Sequence, residues 1–261
     1  MGLPSAYESS AMHIAFQPIV SIDGTALTIY GYEALARDSS GRVPNLLIQK
    51  GTSEHAYALD YQCRKQAIRD AVALRLACNL SMNLLPGAAC HPRFGIDATV
   101  AEAHALGFPV DRIMIEITER EIIEDYASIR QCFDRYREQG VKLALDDFGT
   151  GFNGLNTLLE LRPDVLKVDA TFVQKIETDD ARQALMFAIC SGSERLGTRI
   201  LAEGAETAEG VAALIATDIK LMQGFFFAKP CIGKLPDIEP RLMDDVCNYC
   251  FLDHRPAPPV R

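Results

Sequence analysis

One after another, the short apolar segments of this chain end on an oxygen-bearing or cationic side chain. Glu33 falls near the end of LTIYGYEAL, Asn83 closes ACNLSMN, Glu116 stands in RIMIEI, and Asp146 and Asp147 close KLALDD. Lys167 and Asp169 lie at the end of VLKVD, Glu203 ends RILAE, and Gln223 lies in KLMQGF. Carboxylates and a carboxamide are hard oxygen donors. They suit Mg2+ or Mn2+, with Ca2+ as a non-productive occupant. Gathered without cations they would repel one another, and Lys167 sets a single positive charge against them. Neighbouring side chains on a strand point opposite ways, so a bend at the strand end is needed for both Asp146 and Asp147 to reach metal. One carboxylate bridging two ions ~3.5–4 Å apart is the geometry of two-metal phosphoester hydrolysis.

Each residue alone has a plainer reading. A strand-end Glu is often a helix cap or an ion-pair partner, and Asp-Asp-Phe-Gly-Thr-Gly reads equally as a turn. Asn83 could be a turn residue ahead of Pro86, and Lys167 a solvated surface lysine. The chemical reading rests on repetition, and repetition matters only if the elements bring these ends to one pole.

The elements allow that. HIAFQPIV, LTIYGYEAL, ACNLSMN, RIMIEI, KLALDD, VLKVD, RILAE and KLMQGF read as strands. Helical stretches such as ALDYQCRKQAIRDAVAL, YASIRQCFDRYREQG and DARQALMFAICSGSERLG lie between most of them. Strands alternating with helices predict a parallel sheet with crossovers. Only a short segment holding IDGT separates the first two strands, so that pair reads as a hairpin with one strand antiparallel. The prediction is an α/β fold, a TIM-like (β/α)8 barrel with one antiparallel strand near the N-terminus. In such a barrel the C-terminal strand ends share the face where the active site is built. An open doubly wound sheet is the alternative, and its GxGxxG fingerprint is absent. Residues 1–11 read as an arm, 12–250 as the barrel and 251–261 as an extended tail.

At 261 residues, 48% hydrophobic and 23% charged, the chain fits one large domain. No apolar run reaches the ~18 residues of a membrane span. MGLPSAYESSAMH lacks the pattern of a secretion signal, which predicts a cytoplasmic protein. A net charge of −9 without a basic run argues against duplex nucleic acid as a partner. A small phosphorylated ligand remains compatible if metal ions neutralise the site. Of the eight cysteines, Cys63, Cys78, Cys90, Cys132, Cys190 and Cys231 are expected as buried free thiols. Cys247 and Cys250 form a CxxC near His254, but no second ligand pair completes a zinc site.

At these residues the sequence resembles the EAL-domain family of bacterial cyclic di-GMP phosphodiesterases. FQPIV, YEALAR with Glu33-Ala34-Leu35, EITE, DDFGTG, LKVD, AEGAET and QGFFFAKP occur in the family's order from about Phe16 to Pro230. The ordered series carries the resemblance; the three letters alone would not. It implies hydrolysis of one phosphodiester of cyclic di-GMP to linear pGpG. It further implies metal ligation by Glu33, Asn83, Glu116, Asp146, Asp147 and Glu203, and a water contact by Lys167. Glu206 would support the site, and Gln17, Arg37 and Gln223, with Asp169, would help hold the dinucleotide. Glu119 would anchor the loop after DDFGTG. For the ligand Asn the chain offers Asn79 and Asn83; Asn83 is nearer the strand's C-terminal end, and LSMNLLP matches the family's LSVNLSP. AEGAET, FNGL and Arg120 depart from the commoner forms without removing a ligand. The resemblance also implies a homodimer built beside Phe148–Leu155, with any sensor carried by a separate protein or lying outside this chain. A receptor that binds cyclic di-GMP without cutting it, and a barrel acting on another phosphoester, remain alternatives.

Overall fold

The computed structural model describes residues 12–43, 54–118, 123, 125–151, 154–239 and 241–252, with side chains to residue 247. The expected N-terminal arm, Glu119, His254 and the tail beyond Leu252 lie outside the described residues, as does the side chain of Cys250.

Strands β1 (His13–Asp23) and β2 (Ala26–Arg37) form the predicted hairpin, with Asp23 opposite Ala26. Gly24 has φ +61°, the left-handed conformation that so short a turn requires. From β2 the chain alternates: α1 (Glu54–Ala73), β3 (Asn79–Asn83), α2 (Ile96–Leu106), β4 (Ile113–Thr118), α3 (Tyr126–Arg137), β5 (Lys142–Phe148) and α4 (Gly154–Leu161). It continues through β6 (Val165–Val168), α5 (Ala170–Val173), α6 (Asp180–Leu196), β7 (Arg199–Glu203), α7 (Ala208–Ala216) and β8 (Leu221–Gln223). Strands β2 to β8 pair in parallel and in order. β1 closes the ring, antiparallel to both β2 and β8. The ring is a closed (β/α)8-type barrel, and β1 is its one reversed strand. A short β9 (Cys231–Ile232) then pairs with β1, and α8 (Leu242–Leu252) packs Met243 and Val246 beside Val211 and Leu214 of α7.

Alternation along the strands divides the barrel interior into two layers. Ile19, Met114, Ala144, Val165, Leu201 and Leu221 form an apolar plug. Two residues toward the C-terminal pole, the same inward face carries Glu116, Asp146, Lys167, Glu203 and Gln223. On reversed β1 the step runs backwards, from Ile19 to Gln17. The outward faces feed cores beneath the helices, around Ile68, Ile96 and Phe133 on one side and Ile176, Met186 and Val211 on the other. Burial of this kind stabilises by roughly 25 cal/mol per Å2 of apolar surface, so the helical shell fixes the barrel that carries the polar layer.

Three expectations are corrected. VLKVD ends as a strand at Val168: Asp169 instead caps α5, accepting from the Thr171 N–H at 2.8 Å. KLMQGF pairs only through Leu221–Gln223. Cys90 and Cys132 are joined as a disulfide and are not free thiols, because α3 lies against the segment after β3 with the two Cα atoms 6.1 Å apart.

Candidate active site at the C-terminal pole

Lys167 is the centre of the polar layer. Its side chain is fully buried, and Nζ lies 2.9 Å from Glu203 Oε1, 3.0 Å from Asp146 Oδ1, 3.0 Å from Glu116 Oε1 and 3.7 Å from Glu33 Oε1. Four acids from four strands therefore converge on one ammonium, and the solvated-lysine reading is excluded. Burial alone would strip the Lys167 proton, but the fields of Asp146, Glu116, Glu203 and Glu33 together hold its pKa well above the ordinary lysine value. The acids bear the cost. Burial drives Glu116 well above the carboxylate range against the pull of Lys167, with Glu33 and Asp146 adding to the rise. Burial likewise lifts Glu203 to about 8, opposed by Lys167. One cation cannot keep four carboxylates so close together ionised, so Lys167 stays charged and part of the proton load falls on Glu116 and Glu203.

Neighbouring groups orient the acids. Ser81 Oγ donates to Glu116 Oε1 at 2.6 Å, and Gln223 Nε2 donates to Glu33 Oε2 at 2.7 Å and to Gln17 Oε1 at 3.3 Å. Gln17 sits directly across the hairpin from Glu33 and donates to the Ala228 carbonyl at 3.2 Å. Gly224 allows this corner to close: a Cβ there would strike the Ala205 backbone, whose N–H donates to the Gln223 carbonyl. Ser81 and Ala205 were not singled out in the sequence. The i, i+2 spacing of Asn79, Ser81 and Asn83 on one strand face was the available signal for Ser81.

The Asp-Asp bend is present. Asp147 has φ +57°, and the β5–β6 register breaks between Leu145 and Phe148. The two carboxylates therefore part: Asp146 faces Lys167, while Asp147 accepts from Thr118 Oγ1 at 3.0 Å and lines an adjoining cleft of about 450 Å3. Arg37, Asn83 and Thr118 line the same cleft. Asn83 stands beside Glu116 in the β3–β4 ladder, at the exposed strand end. Asn79 is engaged at the other end of β3, donating to the Tyr30 carbonyl at 2.7 Å where the β1–β2 ladder bulges. Arg37 Nη1 donates to the Ala36 carbonyl at 2.8 Å. Glu206 is exposed on the loop between β7 and α7. A second cavity of about 430 Å3, beside His104, Asp111 and Gln139, lies at the opposite pole from the acids around Lys167.

The donor chemistry fits a hard divalent cation. All donors are oxygens, buried Glu116 Oε2 has no hydrogen-bond partner, and the acids outnumber the charge available to them. Among the described residues no three His, Cys, Asp or Glu side chains stand grouped to hold a metal ion. The carboxylates close on Lys167 instead, and a cation would compete with Nζ for the same oxygens.

Comparison with known proteins identifies the family and similar folds. A family model described as the EAL domain matches residues 2–230. A standalone EAL protein from Vibrio cholerae O395, solved with c-di-GMP bound, is similar at 35% identity and a TM-score of 0.81, over 90% of this chain and 98% of that one. BlrP1 of Klebsiella pneumoniae, in a manganese and cyclic di-GMP complex at pH 9.0, is 32% identical with a TM-score of 0.79, over 90% of this chain and 60% of that one. Cyclic di-GMP phosphodiesterase RocR of Pseudomonas aeruginosa is 32% identical over 82% of this chain, and oxygen sensor protein DosP of Escherichia coli 32% over 87%. This chain spans 56% of RocR and 29% of DosP.

Proposed function

The chain belongs to the EAL domain family, and from that premise we propose that it hydrolyses cyclic di-GMP to linear pGpG in a reaction dependent on Mg2+ or Mn2+. The convergence of Glu33, Glu116, Asp146 and Glu203 on Lys167 carries this reading. With Asn83 and Asp147 at the adjoining cleft, these side chains are the proposed holders of two ions. When bound, the ions supply a water acidic enough to ionise near neutral pH and polarise the phosphoryl oxygens.

The residues do the positioning. Lys167 orients the attacking water and offsets negative charge developing on the phosphate, in a buried setting where an ammonium acts strongly. Gln223 and Gln17 steady Glu33 and present amides to the dinucleotide. Arg37, at the cleft wall, suits paired hydrogen bonds to a phosphate or a guanine edge. Asp169 and Glu206, on the loops after β6 and β7, complete the rim. Ca2+ takes oxygen ligands at longer range and in looser geometry, so it is expected to bind and inhibit.

We further propose a cytoplasmic homodimer working with a separate regulatory or sensory protein. Leu155 and Leu159, one turn apart on α4 and 71% and 58% exposed, support an apolar contact there. Among the described residues no helix is long and apolar enough to cross a membrane.

The test is product analysis with cyclic di-GMP and Mn2+, on the wild type and Glu33→Ala. Metal-dependent pGpG from the wild type, falling at least about 100-fold in the variant, is expected, since even supporting residues around a metal cost 10–100-fold. Binding without pGpG would make the protein a receptor, and turnover of a different phosphoester alone would reassign the substrate.

A further inference from the structure

Arg64 of α1 is 1% exposed, and no role described so far uses it. Its guanidinium is shared among four segments. Nε donates to Thr99 Oγ1 at 3.0 Å, Nη1 to the Asn83 carbonyl at 3.1 Å and to the Asp60 carboxylate, and Nη2 to the Phe94 carbonyl. Asp60, also buried, accepts from the Leu85 N–H at 3.3 Å. Between those contacts, the Leu84 N–H donates to the Glu116 carbonyl at 2.9 Å. Both ends of the Asn83–Leu84 peptide and the N–H of the next one are thus held, two of these three groups by one ion pair from α1.

Stability is a poor account of such a pair. Removing two charges from water costs about what their attraction returns, and apolar replacements of similar volume are often neutral. The next residues on this helix face, Ala67, Ile68 and Ala71, are buried and apolar, so an aliphatic side chain would suit the position. What the pair supplies is direction. A forked guanidinium fixes several acceptors at once, and here one of them is the backbone of Asn83, at the mouth of the cleft.

We infer that Asp60 and Arg64 form a positioning pair that sets the end of β3 so that the Asn83 carboxamide is presented to the cation site; this rests on the functional reading above. Both residues also line the cleft, but their polar atoms are engaged with one another and with Thr99, Asn83, Leu85 and Phe94. Supporting residues of this kind typically change metal affinity by about 10–100-fold.

The experiment is Mn2+ binding to the full chain by calorimetric titration, with kcat and KM for cyclic di-GMP measured alongside. Asp60→Leu/Arg64→Met replaces the pair by apolar side chains. It is expected to fold, to bind Mn2+ about 10–100-fold more weakly, and to lose kcat more than KM. Arg64→Lys keeps the charge beside Asp60 but cannot span Asn83 and Phe94 together; it is read the same way, and serves alone if the double variant does not fold. Ile68→Ala removes core packing from the same helix face without touching Asn83. It is expected to lower the melting temperature and leave Mn2+ affinity unchanged. Wild-type Mn2+ affinity in the Arg64 variants overturns the positioning role alone, as does an equal loss in Ile68→Ala. A wild type that binds no Mn2+ overturns the cation site and this role together.

Discussion

Lys167 and Glu116 face each other at 3.0 Å, Nζ to Oε1, both sealed from solvent, and the second Glu116 oxygen has no hydrogen-bond partner. The pair is a compromise. One ammonium is shared among four acids, so each acid is only partly compensated. That shortfall is what a divalent cation would meet, and it sets the behaviour expected of the metal-free protein.

Lys167→Met should destabilise the metal-free protein by about 3–5 kcal/mol, the usual cost of removing one partner from a buried ionic cluster. Mn2+ should restore part of the loss. Urea unfolding with EDTA and then with Mn2+ measures both, and an unchanged midpoint in EDTA would refute the cluster.

pH should act on the same acids. In the metal-free fold burial lifts Glu203 to about 8 from an ordinary 4.5. The folded state therefore holds a proton that the unfolded state releases, and stability must fall as pH rises through that window. The melting temperature in EDTA should be lower at pH 8 than at pH 6, and the gain on adding Mn2+ larger at pH 8, where the ligands have fewer protons to shed. A melting temperature in EDTA that rises across this window would contradict the assignment.

The Cys90–Cys132 link spans a 42-residue separation and should contribute about 2–4 kcal/mol by restricting the unfolded chain. Intact mass under non-reducing alkylation should show these two thiols protected, and dithiothreitol should lower the unfolding midpoint. Burial pushes the Cys63 thiol up to about 12 and Cys190 up to about 11, so both should alkylate slowly at pH 8 in the folded protein. Rapid labelling at Cys63 would place it nearer solvent than the fold allows.

Thr207 caps α7, its hydroxyl accepting from the Gly210 N–H at 3.1 Å. Thr207→Ala should cost about 1 kcal/mol and loosen the loop that carries Glu206. Hydrogen exchange across residues 204–210 would report it, and unaltered protection would show that the cap is redundant.

How much of this was legible in the sequence varied with the physics involved. The strands and the polar pole could be read because alternation on a buried strand is a strict code, and Met114 and Glu116, Ala144 and Asp146, or Leu201 and Glu203 spell it in order. The expectation of Asn83 over Asn79 rests on their order along β3 and on the LSMNLLP match; the bulge that occupies Asn79 leaves no mark in the local sequence. α2 and α7 are less distinct in the sequence, because Ile-Asp-Ala-Thr-Val-Ala-Glu-Ala and Ala-Glu-Gly-Val-Ala-Ala-Leu-Ile show little contrast between faces. The Cys90–Cys132 pairing, the role of Ser81 and the grip of Arg64 on β3 depend on packing between distant segments, which no local pattern encodes. Asp169 was misplaced by one residue of strand because a helix cap and a strand end favour the same side chain.

Reversing a single strand also changes where the chain enters the barrel. In an all-parallel barrel the first strand begins at the floor; here His13 lies opposite Arg37, at the pole where the acids converge. A force applied at His13 therefore enters the strand at the polar pole, four residues from Gln17, which sits across the ladder from Glu33.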